Sequence, residues 1–173
     1  MATTTRRPTE PLREEHRGLL PHIETLLTAA DGVDALPAET VRRAVDEAYE
    51  FLAAHLIPHA EAEDRALYPV VERVMGAPGV TATMSRDHVE VERLTAELAR
   101  ARERLAAQAP DAGQASSLRR VLYGLYALVK VHFAKEEELY LPLLDERLSP
   151  EEARAMFEAM ERAAGEAKAR RRG

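Results

Sequence analysis

The residues in this sequence best suited to holding a cation are histidines and glutamates that recur in step. His59 and Glu63 are four residues apart, and His132 and Glu136 repeat that pair 73 residues later. His16 precedes His59 by 43 residues, His88 precedes His132 by 44, and Pro69 and Pro142 each follow their histidine by ten. The chain is an imperfect tandem repeat whose unit is a helix with one histidine followed by a helix with His-x-x-x-Glu. At that spacing imidazole and carboxylate leave one helix face about 5–6 Å apart at Cβ, so both can reach one metal ion or two adjacent ones. His16, His59, Glu63, His88, His132 and Glu136 therefore offer four nitrogens and two carboxylates to one buried place. An ionised carboxylate stripped of water is destabilised by several kcal/mol unless cations or hydrogen bonds compensate it. A pair of metal ions would compensate both.

Four helices are needed to position these groups. The apolar periodicity predicts helix 1 from Thr9 or Pro11 to Ala30, helix 2 over 38–75, helix 3 over 81–108 and helix 4 over 115–147. Asp31–Asp34, Gly76–Gly79 and Pro110–Gly113 break them. Breaks this short make neighbours antiparallel, so the expected fold is all-α, an up-and-down four-helix bundle. Pro58, directly before His59, predicts a kink at the site. The levels of His88 and His132 match across helices 3 and 4 at 1.5 Å per residue, whereas those of His16 and His59 match less well. An additional short C-terminal helix opens at Ser149-Pro150-Glu151-Glu152, a capping box with proline at its first position. The expected organisation is a disordered N-terminal segment over 1–8, a helical domain over 9–147, and a C-terminal helix with a frayed basic tail over 148–173.

Composition narrows the chemistry. Cysteine is absent, so disulfides, thiolate metal sites and cysteine nucleophiles are excluded, and any metal is held by nitrogen and oxygen. Imidazole with carboxylate suits iron, manganese or zinc. A net charge of -6 argues against nucleic acid as a partner. Neither a leader-like apolar run nor a membrane-spanning one is present, which points to a cytoplasmic protein with no membrane partner. The Glu-x-x-His of ferritin-like bundles, the His-Glu-x-x-His of zinc proteases, a glycine-rich phosphate loop and a Gly-x-Ser-x-Gly elbow are all missing.

Other polar residues are assigned by face. His55 lies one turn before His59 on the same stripe and is a candidate fifth histidine, whereas His22 is off the face of His16. Glu92, Glu137 and Glu138 are read as solvated, and Tyr68 and Tyr140 as packing residues.

The segments REEH at Arg13–His16, HAEAEDRALYP from His59, DHVEVERL from Asp87 and HFAKEEELYLPLL from His132 together resemble the hemerythrin-like, HHE cation-binding family. The resemblance covers about residues 8–147. It implies an antiparallel four-helix bundle around two non-haem iron ions, bridged by Glu63 and Glu136, with the histidines as terminal ligands. It also implies reversible binding of O2, or chemistry with O2, peroxide or nitric oxide. Oxygen-carrying hemerythrins usually have five histidines, two of them one turn apart on one helix, and here only four fall on the repeat. The resemblance is compatible with two functions: a binding or sensing protein for O2 or a related small ligand, and a di-iron enzyme with catalase/peroxidase-like or oxidase activity.

Overall fold

The computed structural model describes residues 7–107 and 110–172, and these form five helices and no strand. Helix α1 is Glu10–Gly32, α2 occupies 38–75, α3 is Ala82–Ala107, α4 occupies 112–147 and α5 is Pro150–Arg172. Helix α1 packs on α2 and α4, and α3 packs on α2 and α4, so the first four helices close a ring. Helix α5 lies along the outside of α2. No helix among the described residues is long and apolar enough to cross a membrane.

The helix ends obey local chemistry. Asp111 caps α4 by accepting from Gln114 N at 2.8 Å while the Gln114 side chain accepts from Asp111 N, a complete capping box. Ser149 and Glu152 make the same reciprocal pair at the start of α5. Helix α2 stops at Gly76, whose φ of 63° lets its N–H and that of Ala77 return to the carbonyls of Arg73 and Glu72. Helix α1 ends later than the periodicity predicts. The N–H groups of Ala35 and Leu36 both return to the Gly32 carbonyl, adding a turn after the helix.

Instead of one kink at Pro58, the described residues include three π-helical turns, at Leu52–Leu56, Glu63–Leu67 and Glu136–Tyr140. Proline lies two residues beyond the end of each, at Pro58, Pro69 and Pro142. A proline within a helix has no N–H to give and crowds the carbonyl four residues back, and a π turn re-registers the ladder around both defects. The extra residue also rotates the downstream part of each helix about its axis. Leu139 is 62% exposed and Leu143 half-buried, while Leu141 and Leu144 take the inward places. After the second π turn Val71 is fully buried, and Val70 and Val74 are half-buried.

Two apolar clusters fill the ring. One contains Ile23, Leu26, Val45, Phe51, Leu98 and Leu122, and the other Leu12, Leu67, Val71, Met84, Leu141 and Leu144. The second continues into α5 through Ala153, Met156, Met160 and Ala163. The C-terminal helix is thus not short: it runs 23 residues, because Ala153, Met156, Met160, Ala163 and Ala167 give it a continuous buried face. Nor is its basic end frayed, since Arg170 and Arg171 both pair with Glu61 on α2. The N-terminal segment expected to be disordered falls largely on residues 1–6, outside the described residues. Thr9 is buried, with its N–H and Oγ1 both donating to Asp145 Oδ1 at 2.9 and 2.8 Å.

Leu122 is fully buried in the first cluster, whose Phe133 stacks on His16. Leu122→Ala is expected to cost about 2–5 kcal/mol of unfolding free energy in a denaturant titration. Metal content should stay at the wild-type level; a loss of metal without loss of stability would show that Leu122 itself helps to shape the site.

Candidate metal centre

All six residues singled out by spacing come together, and all are buried: Glu63 and Glu136 at 0% exposure, and His16, His59, His88 and His132 at 2–6%. Five of them fall into two trios around a shared carboxylate, His16, His59 and Glu63 on one side and Glu63, His88 and His132 on the other. Glu63 faces both. Its Oε1 is 2.9 Å from His59 Nε2 and 3.7 Å from His16 Nε2, while its Oε2 is 3.3 Å from His88 Nε2 and 3.9 Å from His132 Nε2. Glu136 spans the same gap, with Oε2 3.4 Å from His16 Nε2 and Oε1 3.6 Å from His132 Nε2. Each of these four histidines therefore points Nε2 inward at the two carboxylates.

The outward Nδ1 atoms meet a second set of carboxylates. His16 Nδ1 is 2.9 Å from Glu137 Oε1, His88 Nδ1 is 2.9 Å from Asp64 Oδ2 and His132 Nδ1 is 3.1 Å from Asp87 Oδ2. His59 Nδ1 lies 3.0 Å from Glu15 Oε1, in an orientation that completes no hydrogen bond. A carboxylate behind an imidazole fixes the ring and makes its other nitrogen more basic, the usual support of a metal-binding histidine. These partners obey the repeat. Glu15 and Asp87 each precede a histidine, and Asp64 and Glu137 each come directly after a glutamate, so each helix supports the histidine of its neighbour.

The arrangement asks for cations. Buried atoms without a hydrogen-bond partner include both oxygens of Glu63, Oε2 of Glu136, and Nε2 of His16 and His59. The Nε2 atoms of His88 and His132 face each other at 3.0 Å. Without metal, protons take the role. Burial is the largest influence on each histidine and pushes its pKa down, yet the facing carboxylates outweigh it. His132 is raised to about 10 beside Glu136 and Glu63, and His59 well above its ordinary value beside Glu63 and Glu15. His16 and His88 are raised by Glu137, Asp64 and Glu63. Glu63 is held well below the usual carboxylate range, because the surrounding histidines, His59 first, overcome the upward push of burial. Nitrogen and oxygen donors in this number fit iron, manganese or zinc.

Three residues have other places than the sequence suggested. His55 is exposed and stacks 6.4 Å from Phe51, outside the cluster, because the π turn at Leu52–Leu56 shifts it off the inward stripe. Glu137 is not merely solvated, since the π turn that begins at Glu136 directs it onto His16, where it also pairs with Arg13. Tyr68 is not a packing residue alone. Its hydroxyl donates to Glu136 Oε1 at 2.9 Å and lies 3.2 and 3.4 Å from Nε2 of His132 and His88, and its ring stacks on His88. Desolvation, with Glu63 and Glu136 nearby, holds that phenol firmly protonated. Tyr140 packs edge-on against Tyr68, Glu92 and His22 are exposed, and His22 stacks on Phe51. The supporting carboxylates Glu15, Asp64 and Asp87 were not recognised in sequence. Their signal was adjacency to the candidate ligand positions, repeated at 72 and 73 residues.

The pKa directions set a pH dependence for the metal-free chain. Raised histidine pKa values contribute stability that is complete below about pH 6.5 and is lost as pH rises toward about 10. The depressed Glu63 contributes stability present above about pH 4.5 and lost as pH falls. Thermal unfolding of metal-free protein is thus expected to peak between these limits and to decline above them, and metal uptake near neutrality is expected to release protons. A midpoint that stays flat or rises between pH 6.5 and 10 would mean that the buried histidines are neutral without metal.

No curated protein and no solved structure matches the chain. A family model, the hemerythrin HHE cation binding domain, matches residues 7–144, which hold all six buried residues and their four supporting carboxylates. The chain, with its buried His/Glu metal-binding cluster, belongs to the hemerythrin HHE cation-binding domain family.

Proposed function

We propose that the protein holds two non-haem iron ions and binds or senses O2 or a related small ligand such as nitric oxide or peroxide. The observation that carries this is the posture of Glu63 and Glu136, each with one oxygen toward each side of the cluster. A single ion would need only one such face. Glu63 and Glu136 would bridge the pair, His16 and His59 would hold one ion, and His88 and His132 the other. Bound there, a di-iron pair supplies reversible small-ligand binding or redox chemistry with O2, peroxide or nitric oxide. The chain's own part is to orient the imidazoles through Glu15, Asp64, Asp87 and Glu137, and to exclude water with Phe133, which stacks on His16 at 4.1 Å. The ring of helix contacts and the short connections support an antiparallel up-and-down order for the first four helices. We take residues 9–147 as the domain and 148–173 as an accessory to it.

Metal analysis is expected to give about two irons per chain, with an absorption band that appears on exposure of reduced protein to air and is lost on deoxygenation. No iron, or one tightly held zinc, would overturn the di-iron reading. Glu63→Ala is expected to abolish metal binding.

Tyr68 favours a second reading, a redox enzyme acting on peroxide. Its hydroxyl is a proton donor already aimed at Glu136 beside two histidines. If the protein is an enzyme, Tyr68→Phe is expected to lower peroxide turnover by about 10²-fold or more at unchanged iron content. Equal turnover in the variant would remove Tyr68 from the chemistry, and stoichiometric bleaching without turnover would reject the enzyme.

A further inference from the structure

Three of the four carboxylates behind the histidines are held by a second residue. Arg13 pairs with Glu137, Ser85 Oγ donates to Asp64 Oδ1, and Lys135 pairs with Asp87. Arg13 and Ser85 are equivalent positions of the repeat, 72 residues apart. The position equivalent to Lys135, 73 residues earlier, is Ala62. Glu15 therefore has no partner except His59 among the described residues, and its side chain is 51% exposed against 19–35% for the other three.

Beside Ala62, whose counterpart in the other half is a lysine, lies a cavity of about 370 Å³ that opens to solvent between α1, α2 and α5. It reaches His59 and none of the other three histidines. His59 and Ala62 are buried and close its inner end, while Glu161, Gly165 and Lys168 are exposed and stand at its mouth. Phe157 and Met160 of α5 line it, and that helix lies beyond the residues matched by the family. Its carboxylates are Glu15 and Glu161, and its one cation is Lys168, which has no ion-pair partner among the described residues. His59 itself sits in a six-residue α-helical segment between two π turns, with only the unanchored Glu15 behind its ring.

We propose that this cavity is the port through which divalent cations enter and leave the centre. Glu161 and Glu15 draw the ion in, and His59 is the ligand that swings aside to pass it. The proposal rests on the centre being a metal site. Two carboxylates facing a low-dielectric cleft raise the local concentration of a cation, and a lysine at the mouth opposes it. The other three corners are closed by their anchors.

The test is the rate of Co2+ uptake by the metal-free full chain, monitored by visible absorption after rapid mixing, with the final stoichiometry measured alongside. Lys168→Glu is expected to speed uptake and Glu161→Gln to slow it, each by about tenfold at low salt, the low end of what a charged cleft adds to an association rate. Added salt should shrink both effects. Gly165→Leu should slow uptake whatever the charge, because a Cβ at Gly165 meets no atom within 4 Å and the larger side chain is free to fill the mouth. Ala62→Lys should slow it further by restoring the missing anchor to Glu15. Final metal content should match wild type in the Lys168, Glu161 and Gly165 variants. Wild-type rates in those three at full metal content would overturn the port and leave the centre standing. Rates that track each variant's unfolding free energy would place entry in a general opening of the bundle and overturn it equally. No uptake by the wild-type chain would overturn port and centre together.

Discussion

Two carboxylates with no exposure to water, Glu63 and Glu136, set the terms for everything around them. Removing such a group from water is destabilising on the order of several kcal/mol unless positive charge meets it. The chain surrounds the pair with four imidazoles and seals them above and below with apolar clusters. The seal sharpens the demand, because the same charges interact more strongly where water is excluded. Protons meet it in the metal-free chain, which is why the histidine pKa values rise and that of Glu63 falls. Cations meet it better, since they also satisfy the Glu63 and Glu136 oxygens and the Nε2 atoms of His16 and His59 that have no hydrogen-bond partner.

Regular α-helices alone would not build the second layer of this site. An unbroken α2 or α4 presents Glu63 or Glu136 inward and carries the next residue about 100° around the axis. A π turn beginning at each glutamate changes that registry, and Asp64 and Glu137 reach the histidines of neighbouring helices. Pro69 and Pro142 each lie two residues beyond one of these turns, where the missing N–H and the crowded carbonyl favour re-registering the ladder. The prolines thus belong to the metal centre, although both are exposed and touch none of its residues through a hydrogen bond.

Much of this was legible in the sequence. Repeat spacing identified the six buried residues, and their family resemblance covered nearly the same span that the family match does. Helix boundaries at Gly76 and Ser149 came from φ preference and capping chemistry, which act within a few residues. The features that were missed depended on registry. Ideal 3.6-residue periodicity kept His55 on the inward stripe and left Glu137 in solvent, and each π turn invalidated it by one residue. The length of α5 was missed because small residues such as Ala153, Ala163 and Ala167 bury a face without looking strongly apolar. The tail was misjudged because Glu61, its partner, is more than 100 residues away in sequence.

The repeat is faithful at the candidate ligands and unfaithful just behind them, and that inequality separates the two halves of the site. Position 68 is tyrosine and its equivalent is Leu141; position 133 is phenylalanine and its equivalent is Ala60. The His16 side is therefore covered by an apolar ring stacked on the imidazole, and the His88 side by a phenol that donates to Glu136. Two identical surroundings would give two ions the same affinity and the same access to protons. Here one half excludes water, whereas the other holds a proton within hydrogen-bond reach of the shared carboxylate. Were the centre to take up a small ligand, as proposed, a proton given or withheld at one end would decide whether the bound molecule leaves unchanged or reacts. Duplication accounts for the six converging candidate ligands, and the three repeat positions at which the halves differ, 60/133, 62/135 and 68/141, account for direction.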